Sequence, residues 1–240
     1  MNPGADTYAD TDAELCLYYG AGRVPELRRY RRVVLQPEFY SREELADLAA
    51  AGVLTLAYQS MSEDTGPPAQ WQRVEHNPNW GGAYVHLDHP GWRVRTLSQA
   101  RAALAAGFGG LFLDTLNVEL TFPEDVPHLL SLIAALRERT GPAYLLANRG
   151  FGLLPGLADL VDGVLFESFT ARWTDDGGYA AWPADVLEFH AQLAEQLAEL
   201  KVERFALDYA DGPGLAAFAR RRAAQFGLAG VVSDKALSQV

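Results

Sequence analysis

Short apolar runs recur along the chain, separated by longer stretches whose apolar residues fall at helical spacing. The clearest run is Gly107-Phe108-Gly109-Gly110-Leu111-Phe112-Leu113-Asp114-Thr115. It is too short for a globular helix, and a continuous apolar run of this length predicts a strand buried on both faces, as in parallel sheets and barrels. The run ends on a carboxylate, and the same arrangement returns at Val161-Asp162-Gly163-Val164-Leu165-Phe166-Glu167-Ser168. An unpaired charge inside a core costs several kcal/mol or more. Each carboxylate therefore belongs at the C-terminal lip of its strand, where parallel α/β folds keep their active sites.

The remaining pattern supplies six more strands. Residues 14–20 read as the first, followed by a short basic helix over residues 25–30. Val33 to Pro37 is the second strand, with the proline at its exit. Ser41 with Glu44 forms a capping box that opens a helix to Ala51, closed by Gly52, and residues 53–58 are the third strand. A long irregular stretch then runs from Gln59 to Arg95, with a strand-like piece at residues 84–88; loops of this length in a compact domain are usually functional. Helix 97–106 feeds the glycine-led strand ending at Asp114. Helix 123–139, a strand over residues 143–148, a short helix over 153–160 and the strand ending at Glu167 follow. An amphipathic helix over 184–200 precedes strand 204–209. Helix 213–226 carries Arg220-Arg221-Arg222 on a solvated face, and strand 230–234 comes last.

Eight strands alternating with helical segments imply parallel pairing through helical crossovers. Within 240 residues that count favours a closed (β/α)8 barrel, an α/β fold, over an open doubly wound sheet. The domain is expected over residues 13–240, behind a disordered leader of residues 1–12. The leader lacks the basic-then-apolar pattern of a signal peptide. The sequence leaves the compartment open: cytoplasmic as written, secreted if a leader was removed. No run reaches transmembrane length, so no membrane partner is expected.

Composition changes the picture in two places. The chain has 31 acidic against 20 basic side chains, a net charge of -11, which argues against nucleic acid as a partner. An acidic surface suits a neutral or cationic ligand. The single cysteine, Cys16, lies in the first apolar run and reads as a buried structural thiol. No Gly-x-Gly-x-x-Gly turn follows any strand, which removes the usual ground for a dinucleotide site.

The strand ends read Tyr19, Gln36, Tyr58 with Ser60, Asp114, Asn148, Glu167, Asp208 and Asp234. These would ring the C-terminal mouth of the barrel. A single strand-end Asp is as readily a helix cap as a catalytic group. Two carboxylates closing two glycine-led strands are harder to explain that way, which points to Asp114 and Glu167 as the catalytic pair. Paired carboxylates in a mouth rich in Tyr and Trp suit glycoside hydrolysis, where one protonates the leaving oxygen and the other attacks the anomeric carbon or activates water. Asn148-Arg149-Gly150-Phe151 either positions substrate or begins a loop. His76, His86 and His89 lack the paired spacing of a metal site, so no metal and no cofactor are expected. A metal-dependent hydrolase and a non-catalytic carbohydrate-binding barrel are the competing readings.

The order and spacing of Ala57 to Glu63, Gly107 to Asp114, Asn148 to Phe151, Leu165 to Ser168 and Leu207 to Ala210 resemble the TIM-barrel glycoside hydrolases typified by endo-α-1,4-polygalactosaminidases. The resemblance runs from Tyr18 to Asp234. It implies Asp114 and Glu167 as catalytic pair. By analogy with α-galactosidase-like barrels, Asp114 would be the nucleophile and Glu167 the acid/base. It also implies a monomer acting on α-linked poly- or oligosaccharide. Tyr19, Gln36, Tyr58, Ser60, Glu63, Asp88, Asn148, Arg149, Trp173, Asp208, Tyr209 and Asp234 are the expected substrate-binding residues. A galactosamine polymer would present ammonium groups to Glu63, Asp88, Asp208 and Asp234. The family's Ser-x-Gly-Glu turn reads Ser60-Met61-Ser62-Glu63 here, and Asn117 stands where relatives often place a second carboxylate.

Overall fold

Eight strands run parallel and neighbour one another in chain order: β1 (Cys16–Tyr18), β2 (Arg32–Leu35), β3 (Leu54–Ser60), β4 (Gly110–Asp114), β5 (Tyr144–Asn148), β6 (Gly163–Glu167), β7 (Glu203–Tyr209) and β8 (Ala229–Ser233). The computed structural model describes residues 13–240, and the expected leader over residues 1–12 lies outside them. The sheet curls on itself so that alternate residues of every strand face one interior. Leu17, Val34, Leu56, Phe112, Leu146, Leu165 and Leu207 fill it, while the intervening residues pack outward against the helices. The fold is a (β/α)8 TIM barrel, as the alternation predicts.

The leading glycines have a packing reason. Gly110 and Gly163 sit on the inward register at the barrel's base. A Cβ at Gly110 would lie 2.7 Å from a Leu56 methyl, and one at Gly163 would lie 2.6 Å from the Tyr144 hydroxyl. Their missing side chains make room for Tyr144, which donates to Glu203, while Arg32 pairs with Glu203 and Glu14 beside it. The base is thus plugged by polar groups that pair with one another, and the mouth is left for other chemistry.

The outer layer comprises α1 (Val24–Leu27), α2 (Arg42–Ala50), α3 (Pro90–Ala106), α4 (Val126–Thr140), α5 (Ala184–Ala198) and α6 (Pro213–Gln225). The Ser41–Glu44 capping box is present as expected. Helix α3 starts seven residues before the expected Leu97. Pro90 occupies its first turn behind a His89 cap, and poor helix formers among residues 90–96 hide the turn from a propensity reading. The segment after β5 forms two 3-10 turns, Phe151–Leu153 and Gly156–Asp159, rather than a helix. Arg222 leaves the expected solvated face. It is buried, donates to the Leu187 carbonyl and stacks on Phe169 at 4.3 Å.

Cys16 is buried, with its thiol pushed up to about 12 by burial. β8 and β1 share no ladder among the described residues. The turn after β8 bridges them, with the Tyr19 N–H donating to the Leu237 carbonyl at 2.9 Å and Leu237 buried in the interior. No described helix is long and apolar enough to cross a membrane.

Candidate active site

Register sets the mouth. Ser60 pairs with Asp114, Asn148 with Leu165, and Glu167 with Leu207, so successive strands deliver polar side chains to one level. Asn148 Nδ2 donates to Asp114 Oδ1 at 2.8 Å and to Glu167 Oε2 at 2.6 Å. The Tyr58 hydroxyl donates to Asp114 Oδ2 at 2.9 Å, and the Tyr209 hydroxyl donates to Glu167 Oε1 at 2.6 Å. Tyr19 packs edge-on against Tyr58, with ring centroids 5.3 Å apart. Four expected positions, Tyr19, Tyr58, Asn148 and Tyr209, therefore converge around the carboxylate pair.

Burial, and then the charge of Asp114, raises Glu167 above the ordinary carboxylate range, against the opposing bonds from Asn148 and Tyr209. Glu63 stands on a three-stranded antiparallel insert formed by Glu63–Asp64, Ala83–Val85 and Gln72–His76. It accepts from Asn77 at 2.8 Å, and burial together with the charge of Asp114 raises it too.

The backbone at this level is strained in a regular way. Thr115, Arg149 and Ser168, the residues just after Asp114, Asn148 and Glu167, have φ of 62°, 59° and 56°. Non-glycine residues seldom adopt this left-handed region, and a β-branched Thr least of all. Thr115 is held there by its side chain: Oγ1 accepts from the Met61 and Ser62 N–H groups at 3.0 and 2.9 Å and donates to the Asp114 carbonyl. Ser60 joins this network through Thr115 Oγ1 and the Glu63 backbone. The sequence offered only a polar residue after Asp114, and φ has no signature there. Thr115→Ala is expected to lower kcat about tenfold and stability by about 1–3 kcal/mol, because the Ser62 N–H loses its acceptor and the Met61 N–H keeps only the Asp114 carbonyl. Thr115→Ser, which keeps the oxygen, should restore both, as read from initial rates and urea midpoints.

Other expected binding residues stand elsewhere. Asp208 lies on the outward register between Leu207 and Tyr209, and its carboxylate accepts from the Thr170 and Ala171 N–H groups at 2.6 and 2.8 Å. It anchors the loop after β6 rather than facing the mouth. Asp234 accepts from Ser238 within its own turn, and Asp88 is exposed in the turn before α3. Gln36 is half-buried at the start of a 3-10 turn, with no side-chain hydrogen bond among the described residues. Arg149 donates to the Glu167 carbonyl at 2.9 Å and stacks between Phe151 and Phe166, bracing the strand end from behind. Trp173 reaches the rim, where Lys235 lies over its ring at 3.7 Å. The described residues hold no group of three or more His, Cys, Asp or Glu that could bind a metal ion.

The position of Asp208 makes a pH prediction. Burial pushes its carboxyl up to about 6, above the unfolded value of about 3.9. Its contribution to stability is thus fully present below pH ~4 and lost as pH rises through ~6. Asp208→Asn cannot ionise and keeps one oxygen for the two N–H groups. Relative to wild type it should therefore gain up to about 2–3 kcal/mol between pH 4 and 8. Asp208→Ala should lose about 2–4 kcal/mol throughout. Urea melts across this range test both; a pH-independent Asn difference would contradict the assignment.

Among known proteins, no family model matches the chain. An uncharacterized protein of Methanocaldococcus jannaschii is 30% identical over 89 residues, a match spanning 32% of this chain and 26% of that protein. The glycoside hydrolase domain of PelA from Pseudomonas aeruginosa superposes with a TM-score of 0.85 and 27% identity, over 95% of this chain and 97% of that one. Aspergillus fumigatus Ega3 in complex with galactosamine shares the fold at TM-score 0.74 and 10% identity, over 94% and 92% of the two chains. Fold, motif order and near-complete overlap with the PelA domain agree with one another, and the chain is a TIM-barrel glycoside hydrolase similar to that domain over nearly its whole length.

Proposed function

We propose that the protein hydrolyses α-glycosidic bonds within a galactosamine-containing polysaccharide, with retention of configuration, using Asp114 as nucleophile and Glu167 as acid/base. The carrying observation is the single Asn148 nitrogen that bridges the two carboxyls. Its bonds of 2.8 and 2.6 Å leave Asp114 Oδ1 and Glu167 Oε2 no more than about 5.4 Å apart, a bound that suits the about 5–5.5 Å of retaining enzymes better than the about 6.5–9.5 Å that an inverting enzyme needs for its water.

The raised Glu167 favours the protonated form an acid requires, and Asp114, held in place by the Tyr58 and Asn148 donors, is the carboxylate left to attack. In the first step an Asp114 oxygen bonds to the anomeric carbon as the bond to the leaving oxygen breaks, and the Glu167 proton passes to that oxygen. In the second, Glu167 takes a proton from water. The resulting hydroxide oxygen bonds to the anomeric carbon, and Asp114 departs as carboxylate. No step calls for a cofactor.

The amino-sugar reading draws on the galactosamine held by the Ega3 neighbour and on Glu63. Half-buried near the charge of Asp114 and with one amide donor, Glu63 is relieved by a substrate ammonium. Of the four carboxylates expected to meet such groups, it alone stands by the carboxylate pair. Reducing-end release from a panel of α-linked polysaccharides, run with and without N-acetylation, tests this reading. Cleavage should fall as free amines are blocked; equal cleavage of a fully N-acetylated polymer would overturn the amino-sugar assignment.

A further inference from the structure

A second cleft of about 270 Å3 opens at the rim of the mouth, lined by Pro78, Asn79, Trp173, Asp175, Tyr179 and Lys235. Trp80 follows the lining residue Asn79 and is 59% exposed, its ring 6.2 Å from Trp173 and nearly perpendicular to it. Lys235 places its ammonium 3.7 Å from the Trp173 centroid and 5.3 Å from that of Trp80. That ammonium makes no ion pair among the described residues; Asp175 shares the cleft but does not reach it.

The residues lining the cleft adjoin those of the catalytic mouth on two sides. Trp173 and Tyr179 pack against the interior cluster that contains Tyr58 and Tyr209, and the Lys235 N–H donates to the Tyr179 hydroxyl at 3.1 Å. On the other side, Asn77, three residues before Trp80, donates to Glu63. A polymer lying over Asp114 and Glu167 can therefore extend onto this rim.

Its chemistry is the reverse of the mouth's. Indole and phenol rings offer apolar faces to a pyranose. Lys235 offers a hydrogen-bond donor and a full positive charge, in a protein whose net charge is -11. A sugar bearing a free amine would set ammonium against ammonium here. A sugar with an oxygen acceptor would draw Lys235 off the ring face and expose that face for stacking. Resting on the retaining, amino-sugar reading above, we propose that this cleft is an outer glycosyl subsite for an uncharged unit, such as an N-acetylated hexosamine, while Glu63 meets a free amine nearer the bond that breaks. The enzyme would then read a pattern of acetylation along the chain rather than its average.

The test uses oligosaccharides of defined acetylation pattern, with products mapped by mass spectrometry for wild type, Lys235→Glu and Trp80→Ala. Wild-type products should carry an uncharged unit at a fixed distance from the cut. Lys235→Glu should shift that position at least tenfold toward free amine, and Trp80→Ala should raise KM increasingly with substrate length. Products random at every outer position, or unaltered by Lys235→Glu, would overturn the subsite. Calorimetric binding of the same oligosaccharides reads the subsite even if no bond is cut, a result that would count against the hydrolytic reading alone. A preference for acetylated ligand that depends on Lys235 supports the subsite, and equal binding of both forms refutes it.

Discussion

Glu167→Gln is expected to reduce kcat on a polysaccharide by about 10³-fold or more, and the size of the loss should depend on the leaving group. The amide can keep its oxygen for the Asn148 donor and give its N–H to the Tyr209 hydroxyl oxygen, so both partners retain a hydrogen bond and the local packing has little reason to change. What disappears is the proton delivered to the departing oxygen. An aryl glycoside, whose leaving group hardly needs that proton, should lose much less in its first step. Asp114→Asn removes the atom that bonds to the anomeric carbon, so polymer and aryl glycoside should both be lost, again by about 10³-fold or more. Equal losses on both substrates in both variants would show that the two carboxyls have no distinct roles.

Asn148→Ala should have the next largest effect, a fall in kcat of about 10²-fold together with a shift in the pH profile. The Asn148 amide is the donor common to Asp114 and Glu167, and its bond opposes the rise of Glu167. Without it, Glu167 should rise further. The general acid is active while protonated, so the basic limb of kcat/KM should move to higher pH. Tyr209→Phe removes the other opposing bond and should move the limb in the same direction by less. Asp114→Asn removes the neighbouring negative charge that raises Glu167 and should lower its titration, which 13C-labelled glutamate signals can report without turnover. A purely structural Asn148 would lower Tm and leave the limb in place.

The carboxylate pair was legible because its signal is written twice, in two apolar strands too short for helices and each ended by an acid. Strand parity could be counted within a run but not anchored at every strand end. That is why Asp208 and Tyr209 both looked available, although only Tyr209 lies on the inward register set by Phe205 and Leu207. Asp88 and Asp234 were plausible on charge alone, but chain direction places one in a turn and binds the other to Ser238. The left-handed turns at Thr115, Arg149 and Ser168 left no trace, since glycine, the residue that marks such turns, occupies none of them. The start of α3 was hidden because Pro90, Gly91 and Val94 read as loop until a cap and a buried Trp92 fix the turn. Lys235 and Trp80 are far apart in sequence and acquire meaning only when the barrel closes.

The central claim is that Asp114 forms a covalent bond to the sugar. Incubating wild type with a 5-fluoroglycosyl fluoride of the polymer's sugar should accumulate an enzyme heavier by one glycosyl unit, and peptide mapping should place that mass on Asp114. Glycosylation of Glu167 instead, or no adduct together with NMR detection of the inverted anomer as first product, would contradict it.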